Sequence, residues 1–149
     1  MPKADLDRIE QSNSTGYPGK LAEPVAGRWN RRLAPALGLT DFGASDVTLE
    51  PGAWSSQRHW HEQEDELVVM LEGEAVLIED DARTVLRPGD IAAFPKGVAN
   101  GHHVVNESDR LCRFICVGTD FGSDCHYPDA DLHYEGAGER YVNKDGTPF

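Results

Sequence analysis

Short apolar stretches alternate with turn-forming residues along most of the chain, and this pattern is typical of β-strands. The stretch "DELVVMLEG" meets "EAVLIEDD" at Gly73, and "ARTVLRPGD" ends in a turn that contains a Pro-Gly pair. Only "RRLAPALGL", residues 31–39, is compatible with a helical turn. The predicted strands lie within the segments 47–50, 65–73, 74–81, 82–90, 91–97, 102–109 and 110–118. The pattern predicts an all-β sandwich or barrel.

The length of 149 residues suits a single domain. Both ends of the chain are more polar than its middle, and the stretch after Gly118 is rich in Gly, Asp and Tyr. We therefore expect an extended N-terminal arm at 1–24, a β-barrel at 25–119 and a C-terminal tail at 120–149 that packs on the barrel.

Charge and composition exclude several classes of partner. Acidic residues outnumber Lys and Arg by 26 to 14, so the net charge of −12 disfavours a nucleic-acid partner. No apolar run approaches the roughly 18 residues that cross a membrane, and the N-terminal stretch lacks the apolar segment of a signal peptide. The three cysteines form no metal-binding spacing and are interpreted as small buried or free residues, which favours a reducing, cytoplasmic location.

The segment "RHWHEQEDE" places ligand-type side chains directly before the apolar run "LVVML". In a strand, residues two apart share a face, so His59 and His61 point the same way and their neutral nitrogens suit a transition metal. Glu66 has the parity of Val68 and Met70, which face the apolar interior. A buried, unpaired carboxylate costs several kcal/mol, and a bound divalent cation offsets that cost. We therefore predict a metal site at the mouth of the barrel.

Two longer segments resemble the paired motifs of the cupin superfamily. "GAWSSQRHWHEQEDELVVMLEG", residues 52–73, resembles the first motif, and "GDIAAFPKGVANGHHVVN", residues 89–106, resembles the second. The resemblance implies a jelly-roll (cupin-type) β-barrel, often a homodimer, with one divalent metal held by three His and one Glu. The ion would be zinc, iron, manganese, nickel or copper.

Carried over onto this sequence, the resemblance implies the metal ligands His59, His61, Glu66 and His102. His102 and His103 face opposite sides of a strand, so one of them can reach the ion. Asn106 follows His102 by four residues, as in the motif, and this spacing favours His102 over His103.

Two functions remain open, because cupins include isomerases, epimerases, dioxygenases, decarboxylases, lyases and non-enzymatic binders. One is a metalloenzyme that acts on a sugar, sugar phosphate or carboxylic acid by Lewis-acid or oxygen chemistry. An isomerase-like enzyme is one example of this class. The other is metal-assisted binding of such a small molecule without a reaction. Glu64 is a candidate general base, although a solvated loop carboxylate is favoured. Gln57, Trp54, Met70 and Phe94 are candidate pocket walls, although residues such as Trp54, Met70 and Phe94 more often belong to the core.

The apolar runs also predict self-association. Residues 67–71 and 75–78 are apolar on both faces, whereas a small barrel has only one interior. The arm and the tail are mostly polar, so we expect a partner subunit to cover the outer faces in a homodimer.

Overall fold

The computed structural model describes residues 3–149. Its regular elements are mostly short β-strands, together with one short α-helix and several 3-10 helices. The strands are β1 (Arg28–Arg32), β2 (Gly43–Leu49), β3 (Trp60–His61), β4 (Glu66–Glu72), β5 (Ala75–Ile78), β6 (Arg83–Leu86), β7 (Ile91–Phe94), β8 (His103–Val105), β9 (Cys112–Gly118), β10 (Cys125–His126), β11 (His133–Glu135) and β12 (Arg140–Val142). The helix α1 spans Leu33–Leu37, and the 3-10 helices span Leu6–Arg8, Gly19–Val25 and Gly136–Gly138.

The strands form antiparallel sheets that confirm the all-β, jelly-roll prediction. A five-stranded sheet has the order β1-β2-β9-β4-β7, and a three-stranded sheet has the order β6-β5-β8. A four-stranded sheet, β12-β11-β10-β3, joins the C-terminal strands to the short strand at His61. Hydrogen bonding thus divides the strands among separate sheets instead of closing them into one continuous barrel.

The main core is built from inward-facing residues of the five-stranded and three-stranded sheets. In β4, Val68 and Met70 are 3% and 1% exposed, while Leu71 on the opposite face is 37% exposed. This alternation follows from the two-residue period of a strand. Full burial of a side chain such as Met70 contributes roughly 1.5–3 kcal/mol. The core includes Val47, Leu49, Val68, Met70, Ala75, Leu77, Val104, Cys112 and Phe114.

A second, smaller core lies between the N-terminal residues and the C-terminal strands. Tyr17 and Val25 from the N-terminal part pack with Cys125, Tyr127 and Leu132 from the C-terminal part. The C-terminal strand β10 pairs directly with β3, so this second core is attached to the histidine-rich segment. The two ends of the chain together cover one side of the candidate site.

The helical turn expected within 31–39 is present as α1, which ends at Gly38 with a left-handed φ of 73°. Glycine adopts this conformation without the strain that a Cβ atom causes. Among the described residues, 3–149, no helix has the length and apolar character needed to cross a membrane.

Candidate metal centre

His59 and His102 are brought face to face by a short antiparallel bridge. Each backbone N–H donates to the other residue's carbonyl, at 3.1 Å from His59 and 2.9 Å from His102. The centroids of the two imidazole rings are consequently 5.1 Å apart. His61 follows in β3 on the same face as His59, and the Nε2 atoms of these two residues are 3.1 Å apart.

Glu66, the first residue of β4, completes the cluster. Its Oε2 atom lies 3.2 Å from Nε2 of His61, 3.6 Å from Nε2 of His102 and 3.9 Å from Nε2 of His59. The structure therefore brings together all four residues proposed as ligands from the sequence. Three ring nitrogens converge on one carboxylate oxygen, although the residues span more than forty positions of the chain.

His102 and His103 have different surroundings. His102 is 3% exposed, and its Nε2 is buried without a hydrogen-bond partner among the described residues. His103 instead places Nδ1 2.9 Å from the carbonyl oxygen of Ser56, and its ring packs edge-on against Trp54. His102 thus belongs to the cluster, and His103 packs outside it.

The electrostatics of the cluster keep a free nitrogen lone pair on His59. The carbonyl oxygen of Gln57 lies 2.8 Å from Nδ1 and accepts its hydrogen, which leaves Nε2 as the acceptor nitrogen. Burial lowers the pKa of His59 to about 4, so the ring is neutral at pH 7. Burial acts to raise the pKa of Glu66, but the adjacent His102 and His61 outweigh it and hold this pKa well below its usual value.

These donors fit a divalent transition metal. Three imidazole nitrogens and a carboxylate oxygen are a common donor set for zinc, iron, manganese, nickel and copper. A buried polar atom without a partner, such as Nε2 of His102, costs about 1–3 kcal/mol. A cation at the point of convergence removes that cost and also offsets the buried charge of Glu66.

Cys125 is a potential donor that sequence reasoning missed. It lies in β10 directly opposite His61 in β3. One ligand atom from each of His59, His61 and Cys125 lies within 4.8 Å of the others. The sequence shows only an isolated cysteine in a polar segment, and the long-range pairing of β10 with β3 brings it to the site.

Glu64 is held in a defined position and differs from the solvated loop carboxylate that the sequence favoured. Its side chain is only 14% exposed, and Oε2 lies 3.2 Å from Nδ1 of His61. Its Oε1 accepts hydrogen bonds from the backbone N–H groups of Phe121 and Ser123, at 3.0 and 3.2 Å. Glu64 therefore links the C-terminal segment to one of the clustered histidines.

A large open cavity of about 790 Å³ leads to the cluster. Its wall contains aromatic and acidic side chains from both ends of the chain, and a smaller cavity of about 160 Å³ lies on the inner side. The polar residues of the large cavity include Tyr17, Tyr127, Tyr134, Tyr141, Glu64, Asp120 and Glu139.

The four residues that were expected to line the pocket make different contacts. Phe94 lines the inner cavity and stacks on His102 with a centroid distance of 3.6 Å. Met70 is instead a core residue, and the side-chain amide of Gln57 donates to the carbonyl oxygen of Leu21. Trp54 packs against the second core and the ring of His103.

Comparison with known proteins identifies similar sequences and structures. Residues 45–118 match the Cupin_2 family, described as a cupin domain. A sugar phosphate isomerase from a cupin superfamily, from Silicibacter pomeroyi, is 43% identical, with a TM-score of 0.93 over 99% of this chain and 96% of that chain. A candidate sugar phosphate isomerase from Acidithiobacillus ferrooxidans is 26% identical, with a TM-score of 0.71 over 79% of this chain and 77% of that chain.

More distant structures share the fold alone. A polyketide cyclase from Streptomyces resistomycificus is 19% identical, with a TM-score of 0.65 over 80% of this chain and 79% of that chain. No curated protein matches the sequence.

Proposed function

The chain belongs to the cupin superfamily, and we propose that it is a metal-dependent isomerase of a small hydroxylated metabolite such as a sugar. The proposed ligands are His59, His61, Glu66 and His102. The observation that carries the proposal is the buried Nε2 of His102, which has no hydrogen-bond partner in the described part of the chain and lies 3.6 Å from Oε2 of Glu66. The name of the 43% identical protein from Silicibacter pomeroyi, a sugar phosphate isomerase, supports the same reaction class.

The chain's own residues prepare the site for such a reaction. A bound divalent metal supplies a Lewis acid that polarises a substrate carbonyl or hydroxyl. Gln57 fixes the tautomer of His59 so that Nε2 is available as a ligand, and Phe94 holds the ring of His102 by stacking. The cavity gives a small substrate access to the cluster.

Glu64 is the proposed general base. Interconversion of an aldehyde and a ketone sugar needs a group that removes a proton from the carbon beside the carbonyl and returns it. Burial acts to raise the pKa of Glu64, but hydrogen bonds from His61, Ser123 and Phe121 outweigh it and lower this pKa. The side chain is therefore a carboxylate at pH 7, and it lies on the cavity wall beside His61.

The wall of the large cavity favours an uncharged sugar. In the described part of the chain, the residues that line this cavity include no Lys or Arg, whereas Asp120 and Glu139 are acidic. Phosphate groups bind to cationic side chains or free backbone N–H groups. This wall is therefore poorly suited to bind the phosphate group of a sugar phosphate. Tyrosine rings and hydroxyls instead match the faces and hydroxyl groups of a sugar. Arg28 lines the smaller inner cavity, where a phosphorylated substrate would find a cation.

The test begins with elemental analysis of protein that was purified without added metal. The protein is then loaded with the metal that elemental analysis identifies and incubated in deuterated water with pairs of free and phosphorylated sugars. NMR follows deuterium incorporation and product formation. We expect turnover of a free sugar, and we expect Glu64→Gln to retain the metal but lose the proton exchange. A metal-loaded wild type that exchanges no proton on any sugar of the panel would contradict the isomerase proposal.

Metal-assisted binding without a reaction is the second candidate. The observation that favours it is that both carboxylate oxygens of Glu64 already have partners. They contact two backbone N–H groups and His61. Such a carboxylate is a weak proton acceptor. Under this alternative, calorimetry would detect metal-dependent sugar binding, and the NMR assay would show no proton exchange.

A further inference from the structure

The candidate metal centre contains two groups of donors that share one histidine. His59 belongs both to a group with Glu66 and His102 and to a group with His61 and Cys125. We infer that the thiolate of Cys125 is a further metal ligand, which makes this a mixed nitrogen, oxygen and sulfur centre. The inference rests on the metal site of the proposed function and adds a ligand from the C-terminal strand β10.

The geometry brings Cys125 close to an ion that His59 and His61 would bind. Zinc–sulfur and zinc–nitrogen bonds are about 2.3 and 2.1 Å long, so two such ligand atoms on one ion lie at most about 4.4 Å apart. The potential ligand atoms of Cys125, His59 and His61 lie within 4.8 Å of one another. Side-chain shifts of about a few tenths of an ångström bring Cys125 onto an ion held by His59 and His61, because β10 and β3 already pair at Cys125 and His61.

A second observation supports a cation at this centre. His102 is 3% exposed. Its Nε2 belongs to the donor group that shares His59 and has no hydrogen-bond partner within residues 3–149. Cys125 is itself 4% exposed, yet it lines the cavity that leads to this cluster. Its thiol thus lies within 4.8 Å of ligand atoms of two imidazoles, at the wall of the cavity that leads to them.

A thiolate ligand changes the properties of the centre. On binding, the sulfur–hydrogen bond of Cys125 breaks, its proton goes to solvent, and the sulfur lone pair forms the bond to the metal. Two anionic ligands, Cys125 and Glu66, then neutralise a divalent ion. A soft sulfur donor favours zinc, iron and copper over magnesium and manganese. The bond also connects the C-terminal segment to the metal, so removal of the ion should loosen the second core.

X-ray absorption spectroscopy of the zinc-loaded protein tests the inference. The wild type should show a sulfur shell near ~2.3 Å beside a nitrogen and oxygen shell near ~2.0 Å. Cys125→Ser should lose the sulfur shell and keep the zinc. Cys116→Ser is the matched control, because Sγ of Cys116 lies 3.3 Å from Oε1 of Glu66 and is the other thiol in contact with a proposed ligand. This control should keep the sulfur shell.

The outcomes separate this inference from the proposed function. One equivalent of zinc with only nitrogen and oxygen neighbours in the wild type would overturn the Cys125 ligand and leave the proposed metal site intact. A sulfur shell that persists in Cys125→Ser would also overturn it. Failure of the wild type to bind any of zinc, iron, manganese, nickel and copper would overturn the proposed function. Should Cys125→Ser not fold, a sulfur shell retained in both Cys112→Ser and Cys116→Ser would assign the sulfur to the remaining cysteine, Cys125.

Discussion

The Nε2 atoms of His59 and His61 face each other at a distance of 3.1 Å. Gln57 accepts the hydrogen on Nδ1 of His59, so Nε2 of this residue carries a lone pair. Two lone pairs at this distance repel each other unless a proton or a metal ion lies between them. The pair is therefore stable either with His61 protonated at Nε2 or with a shared cation.

Substitution of both histidines should remove the metal. We expect the His59→Ala and His61→Ala double variant to purify without bound metal, because two of the nitrogen donors are lost. His103→Asn is the control, since His103 is also buried but binds the carbonyl oxygen of Ser56. Elemental analysis measures the outcome. A full equivalent of metal in the double variant would place the site elsewhere.

Metal affinity should fall with pH because a proton competes for His61. Burial acts to lower the pKa of His61, but contacts with Cys125, Glu64 and Glu66 outweigh it and raise this pKa above its usual value. The metal must displace that proton, whereas His59, with a pKa of about 4, carries none near pH 7. Displacement of the His61 proton alone should lower the apparent affinity about tenfold per pH unit from pH 7 to 5, and release of the Cys125 thiol proton on binding should steepen this fall. Competition with a chelator at each pH measures it, and a flat profile would indicate that imidazoles do not bind the ion.

Hydrophobic alternation predicted the central strands, since β4, β5, β7 and β9 carry apolar residues that face the core. It did not predict β1, "RWNRR", or the C-terminal strands β10–β12. These segments are short or polar, and they become strands through pairing with distant neighbours rather than through local propensity.

Pairing between distant strands also explains which residues of the candidate metal centre could be predicted from the sequence. The motif spacing suggested His59, His61, Glu66 and His102, and the structure places them together. Cys125 was not found because only the pairing of β10 with β3, some sixty residues away, brings it near His61. Metal binding by these residues remains a prediction.

Arg113 illustrates a residue whose surroundings the sequence did not reveal. Arg113 lies in β9, which is inside the five-stranded sheet. Its Nε and Nη2 atoms lie 2.8 and 3.1 Å from the two carboxylate oxygens of Asp46, which is fully buried. A third interaction joins Arg113 to Glu72 at 3.0 Å.

Removal of Arg113 should destabilise the fold strongly. Among the residues that the structure describes, Arg113→Met leaves the buried charge of Asp46 with only Arg31, whose Nη1 is 3.7 Å away. We expect a loss of about 3–5 kcal/mol in the free energy of unfolding, measured by urea denaturation. Arg110→Met is the control, because the Arg110 side chain is 89% exposed. The additional change Asp46→Asn should recover part of the loss, and equal stabilities of Arg113→Met and Arg110→Met would contradict this assignment.

The outer face of the five-stranded sheet carries an apolar patch across β7, β4 and β9. Ile91 pairs with Val69, which also pairs with Ile115, so the three side chains form a row on one face. Ile91 is 63% exposed, and Leu71 farther along β4 is 37% exposed. A continuous apolar surface of this kind commonly marks a contact with another protein chain.

We expect this patch to form the centre of a two-fold homodimer interface. The patch is apolar across the antiparallel strands β7, β4 and β9. A second copy related by a two-fold axis can therefore cover it with the same residues. Light scattering at micromolar concentration should give twice the mass of one chain. Ile91→Lys places a charge at the most exposed position of the row and should yield monomers. The control is Val85→Lys, which should remain dimeric, because Val85 is a 39% exposed residue of β6 in the three-stranded sheet. A wild type with the mass of a single chain would show that this face contacts water in solution.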